Sequence, residues 1–186
     1  MSNSGAPIDL LFVLAGRENR KHFGIELFQR GLAKTLLLSV ARFEIRRYAK
    51  LAITPKVDLL QLAAPTPPPQ RHFFVLHDAL TATATRIPVG PFGTLSEVAA
   101  LASWLSPQKE ISSLLIVTAK AHMSRVKLCC RHLLPKRLRV EFLSVPDSDA
   151  PAWERFLLRS SEILKWIVYV VVLQTSWPKQ ETRLAP

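Results

Sequence analysis

The stretch LLIVTAKAHMSR, residues 114–125, carries an imidazole and a guanidinium just past the end of an apolar run. Thr118 closes the run, and His122 and Arg125 stand three residues apart, a spacing that puts both on one face of a helix. There Arg125 can clamp a phosphate or carboxylate through two parallel N–H bonds, and His122 can donate a hydrogen bond or shuttle a proton. The plainer reading has Arg125 pairing with a surface acid while His122 caps or packs. Other strand ends repeat the pattern. Gly16 closes DLLFVLAG and is followed by Arg17 and Arg20, again three apart, while Ser39 lies at the end of TLLLSV. Glu97, in the first turn expected for GTLSEV, can orient a base or serve as one; an acid there is also stabilised by the helix dipole alone. Thr94 or Ser96 can cap that helix. His122 and Glu97 are therefore the candidates for chemistry. Gly16, Arg20, Ser39, Thr94, Thr118 and Arg125 are the candidates for binding a ligand.

Other chemistry-bearing residues point less clearly. His72 and His77 flank an apolar strand, where a structural role is the ordinary one, and His132 sits beside Arg131 in a solvated basic patch. AGRENR is not a GxGxxG turn, and neither GxxxxGK[ST] nor GxSxG occurs, which argues against a dinucleotide-dependent dehydrogenase, a P-loop NTPase and a serine hydrolase. Cys129 and Cys130 are adjacent, so on a helix they diverge and make a poor disulfide. No Cys/His spacing of zinc type accompanies them, so no metal is expected, and both are expected to be reduced and at least partly buried.

The elements that must position these residues alternate. The 186-residue length suits one domain, 1–186, and 48% hydrophobic against 21% charged residues is a globular composition. Apolar runs at 9–16 and 35–40 read as strands, and the segment between them places Phe23, Leu27 and Phe28 on one helical face, with Gly31 as its C-terminal stop. ARFEIRRYAKLAI resumes helical spacing. Residues 61–71, with four prolines between Pro65 and Pro69, read as a surface loop. HFFVLH and the alternation from Leu80 to Thr85 suggest a hairpin. A helix over 93–105, a strand over 111–119, a helix from Ala121 stopped by Pro135, a strand over 138–145 and a closing helix over 151–175 complete the chain. This βαβ alternation predicts an α/β fold with a mostly parallel sheet and helices on both faces.

The net charge of +11 favours an anionic partner: nucleic acid, a phosphorylated small molecule or an acidic membrane surface. Specific nucleic-acid binding is not expected, because no RRM, KH or helix-turn-helix signature is present. The N-terminal residues lack the basic and apolar regions of a signal peptide, and ILKWIVYVVVL at 163–173 is too short to span a bilayer, so the expectation is a cytoplasmic protein. Trp153, Trp166 and Trp177 with Arg159 and Lys165 offer a second reading, a non-enzymatic module that seats the closing helix on a membrane surface or a protein partner.

Several of these stretches, in order, resemble the YdcF/SanA/ElyC-like family, a bacterial α/β domain. FVLAG followed by R20KHFGIELFQRG31 is similar to its first strand and helix, GTLSEVAAL to its NT.ENA-type segment, V117TAKAHMSRV126 to its VTS.YHM.RA segment, and WERFLLRSSEILKWIVY to its last helix. The resemblance implies a three-layer Rossmann-like fold with a polar cleft at the strand ends, lined by Arg20, Glu97, Thr118, His122 and Arg125. It also implies a nucleotide-like or S-adenosylmethionine ligand and a link to cell-envelope maintenance. The sequence departs from the family where the first glycine cluster is reduced to AGR, where SGG becomes SVA, and where the Asn-containing motif becomes GTLSE. Fewer glycines leave less room for backbone to approach a phosphate. Many relatives carry an N-terminal membrane anchor, which is not expected here.

Overall fold

A computed structural model of the chain describes residues 6–88, 90 and 92–146. The expected closing helix at 151–175 lies outside the described residues, as do Trp153, Trp166 and Trp177. The described elements are β1 (Ile8–Val13), α1 (Glu18–Gln29), β2 (Ala33–Ala41), α2 (Ile45–Tyr48), α3 (Leu59–Ala63), β3 (His72–His77), β4 (Ala82–Arg86), α4 (Gly93–Leu105), β5 (Ser113–Ala119), α5 (Met123–Leu133) and β6 (Arg139–Val145). The six strands form one sheet in the order β4-β3-β2-β1-β5-β6. β2, β1, β5 and β6 run parallel, while β3 is antiparallel to β2 and β4 to β3. The fold is α/β with a mostly parallel sheet.

The strand sequences explain the pattern. The central strands carry apolar runs, Leu10–Val13, Leu36–Leu38 and Leu114–Val117, that are wholly buried, as a sheet covered by other elements requires. Neighbouring residues feed two different apolar clusters. Leu10, Phe12, Leu37, Phe74, Leu114 and Ile116 pack with Leu95, Val98 and Leu101 of α4 and Val126 of α5. Leu11, Val13, Leu36, Leu38, Val75 and Val117 pack with Ile25 of α1, Ile45 and Tyr48 of α2, and Leu59 and Ala63 of α3. The β3–β4 hairpin forms as expected, its turn closed by Asp78, whose Oδ1 accepts from the backbone N–H groups of Leu80 and Thr81 at 2.7 and 2.6 Å.

Several expectations need correction. The buried stripe of α1 is Arg20, Lys21, Gly24 and Ile25, and Phe23, Leu27 and Phe28 are only half-buried beside it. Gly24 lets the helix approach β1 closely: a Cβ there would lie 2.3 Å from Val13 Cγ2. Gly31 does follow the helix end, with φ of +75°. ARFEIRRYAKLAI is not one helix. β2 runs on to Ala41, and only four residues, Ile45–Tyr48, are helical. Ser39 therefore lies within β2 rather than at its end. The segment 61–71 is not wholly loop, because α3 extends to Ala63 and Pro68–Gln70 form a 3-10 turn. Among the described residues no helix is long and apolar enough to cross a membrane.

Candidate functional site

Strand register assembles the site. Val13 pairs with Leu38 on one side and Val117 on the other. The next residues along, Leu14, Ser39 and Thr118, therefore form one row close to the carboxyl ends of β1, β2 and β5. β3 starts at this same end, with His72 opposite Ala41. Whatever leaves these strands is brought together.

What leaves them is charged. Among the described residues five Lys, Arg, Asp or Glu side chains are buried: Arg20, Lys21, Glu44, Glu97 and Arg125. All five belong to this end of the sheet. Burying a charge is costly unless it is paired and hydrogen-bonded, and the pairing here is dense. Glu44, in the turn after β2, accepts from Lys21 Nζ at 2.5 Å and from the backbone N–H groups of Gly16 and Ala41 at 2.9 Å each. Glu97 of α4 accepts from the Ala15 N–H at 2.6 Å. Two carboxylates from different elements thus hold the backbone amides that follow β1. Arg20 closes the turn from the other side, donating from Nη1 to the Ala15 carbonyl at 2.5 Å. Gly16 makes this possible. Its φ of +146° disfavours a side chain, and a Cβ would lie 2.9 Å from Arg20 Nη1.

On the α4 side of the row, Arg125 Nε donates to Thr94 Oγ1 at 3.2 Å, and Arg125 Nη2 lies 3.4 Å from His122 Nδ1. Arg125 and Arg20 are close enough to repel. The Arg20 pKa is drawn down by burial and by Arg125, against the pull of Glu97 and Glu44. Burial likewise lowers the Lys21 pKa, with Glu44 opposing. On the β3 side, Ser39 Oγ lies 2.7 Å from His72 Nε2, and burial lowers the His72 pKa despite Glu97 and Glu44. That favours a neutral imidazole at pH 7, able to accept a proton. Two fully buried donors in the cluster, Thr118 Oγ1 and Arg20 Nε, have no hydrogen-bond partner. Buried polar groups in that condition call for an explanation, and a bound ligand or water is the usual one.

The structure brings Gly16, Arg20, Glu97, Thr118, Arg125, His122 and Thr94 to one end of the sheet, and Ser39 joins them through His72. Two local details differ from expectation. α4 begins at Gly93 behind Phe92 with no side-chain cap, so Glu97 sits in its second turn, where the helix dipole does not account for it. His122 ends a 3-10 turn, Lys120–His122, and occupies the N-cap of α5 rather than its first turn. Sequence reasoning missed Lys21 and Glu44 and set His72 aside. The available signal was Glu44 itself, a lone acid directly after an apolar strand and flanked by Arg42, Arg46 and Arg47. The cysteines are both free and buried in α5, and burial pushes the Cys129 thiol up to about 12, away from reactivity.

No family model, curated protein or solved structure matches the chain.

Proposed function

We propose that this chain is a YdcF-like domain that binds a phosphorylated or nucleotide-like small molecule at the carboxyl ends of β1, β2 and β5. In this reading helices lie on both faces of the sheet in a three-layer Rossmann-like arrangement, the setting in which ligands meet strand ends. The observation that carries the proposal is the concentration of every buried Lys, Arg and Glu among the described residues at that one end. The apolar core of this sheet does not itself call for gathered charge, and charges perturbed by burial and by one another at strand ends are candidates for function.

The contacts favour one side of the site for the anion. In a glycine-rich phosphate loop the backbone amides after β1 would meet it. Here Glu97 and Glu44 occupy the amides of Ala15 and Gly16, and their charge would repel a phosphate. This supports a place for the ligand's anionic group on the α4–α5 side, where Arg125 would bind charge, His122 and Thr94 would flank it, and Thr118 would donate. Glu97 positions the turn, and Arg20 fixes the carbonyls opposite. The resemblance supplies the wider proposal of a role in cell-envelope maintenance, with nucleotides and S-adenosylmethionine as the first ligands to try.

A thermal-shift screen tests this with ATP, ADP, S-adenosylmethionine, a polyprenyl phosphate and inorganic phosphate. A true ligand at a hundred times its Kd adds about 2.7 kcal/mol of stability, which is roughly 5–10 °C for a domain of this size. His122→Ala and Arg125→Met should each remove most of that shift. No shift with any of these compounds, or an equal shift in both variants, would overturn the proposal.

A further inference from the structure

α2 and α3 together carry a surface that the strand-end site does not use. Their inner residues, Ile45 and Tyr48 on α2 and Leu59 and Ala63 on α3, join one apolar cluster on the sheet, so the opposite sides of both short helices turn outward over the same layer. Four large apolar side chains stand out to solvent among the described residues, and three of them are here: Phe43 at 73%, Leu60 at 50% and Leu62 at 43% exposed. Arg42, Arg46, Arg47, Lys50 and Lys56, from the same stretch of chain, are exposed as well. The only acids between 42 and 62 are Glu44, which is buried against Lys21, and Asp58, whose Oδ1 accepts from the Leu60 and Gln61 N–H groups. Arg42 lies over the Phe43 ring at 4.2 Å, so the charge and the aromatic group are presented together.

We propose that this α2–α3 surface docks on an anionic lipid membrane, with Phe43, Leu60 and Leu62 entering the headgroup boundary and the five cations meeting acidic headgroups. The charge is complementary, and several clustered Lys and Arg beside exposed apolar groups is the composition such surfaces use. A nucleic acid would satisfy the cations and could stack on Phe43, but it gives Leu60 and Leu62 nothing to bury against. The docking face is separate from the strand-end site and stands or falls without it. It would leave the β5–α5 end of that site free to take ligand.

The test is co-sedimentation of the full chain with phosphatidylcholine vesicles, with or without about a third phosphatidylglycerol, at about 0.1 M salt. Binding should require the anionic lipid. It should weaken about tenfold or more in an Arg46→Gln/Arg47→Gln protein, and comparably in a Leu60→Ser/Leu62→Ser protein. All of these positions are exposed, and thermal unfolding of each variant confirms that it is folded. No vesicle binding, or equal binding to neutral vesicles, overturns the proposal. Unchanged binding by both folded variants also overturns it and moves the contact elsewhere on the chain. Loss in the arginine variant alone, with tighter binding to duplex DNA than to vesicles, marks a nucleic-acid surface instead.

Discussion

Glu44 is the residue on which the strand-end geometry turns. Its carboxylate joins three separate pieces of chain, accepting from Lys21 on α1, Gly16 after β1 and Ala41 at the end of β2. Side-chain exposures of 3% for Lys21 and 7% for Glu44 leave water little part in screening the pair. Glu44→Gln keeps an acceptor for one amide but strands the Lys21 ammonium, so it should lower unfolding stability by about 3 kcal/mol in urea titration. Adding Lys21→Met to Glu44→Gln should recover part of the loss, because the orphaned charge is then gone and a methionine of similar reach fills its place. A double variant less stable than the single one would show that the pair does not act as a unit. The local sequence offers one faint signal, a lone acid just after an apolar strand, and it does not name the partners. A glutamate among Arg42, Arg46 and Arg47 reads as a solvated acid in a basic run, and its partners are 28 and 23 residues away. Arg20, Glu97 and Arg125 were legible because each follows a strand end. Lys21 and Glu44 were not, because their role depends on register and on a turn geometry that periodicity does not encode.

At the scale of elements, the strands were the readable part. Apolar runs gave the inner strands, alternation gave β4 and β6, and the boundaries observed differ by a few residues. The helices were harder for a physical reason. The amphipathic pattern assumes that apolar residues face inward, whereas the inward stripe of α1 includes the site's own cations and a glycine chosen for closeness to Val13. α4 presents a related case, since its N-terminus has no side-chain cap and its C-terminus is held from a distance. Arg137 donates to the carbonyls of Leu105 at 3.1 Å, Gln108 at 3.0 Å and Ile111 at 2.6 Å, groups at and just beyond the helix end that lack helical partners. A cation there also meets the negative end of the helix dipole. Arg137→Ala should therefore cost about 2 kcal/mol, and Arg137→Lys should restore only part of it, because a single ammonium cannot reach three diverging carbonyls as a guanidinium fork does. Thermal unfolding of the two variants measures the difference, and equal midpoints for alanine and wild type would remove α4's anchor from the account.

For the whole molecule, the inward-facing histidines, His77 fully buried and His72 half-buried, make stability depend on pH in a direction that can be worked out. His77 is 1% exposed, with Nε2 at 3.3 Å from the Tyr48 hydroxyl. Burial lowers its pKa from the ordinary 6.5 to about 4, although the backbone near Pro55 and the Asp78 carboxylate pull the other way. Above pH 6.5 the imidazole is neutral folded and unfolded, and it adds no pH dependence. Between 6.5 and 4 the unfolded chain takes up a proton that the fold refuses, so stability falls as the pH falls. The full loss approaches about 3 kcal/mol by the time the folded group titrates. His72, lowered by burial in the same sense, adds to the slope. Asp9 acts later. Its carboxylate is held well below the usual range, chiefly by Lys34 and also by the Ser112 and Ser113 donors, so its contribution is lost only as pH drops below the ordinary carboxylate value. Urea midpoints measured from neutral pH down to about pH 4 should decline steadily. His77→Gln, which stays neutral and can still bond the Tyr48 hydroxyl, should flatten most of that decline while His72 keeps the rest. If the variant tracks wild type across the whole range, the proton is being taken up elsewhere, and His77 is not the group that ties this fold to pH.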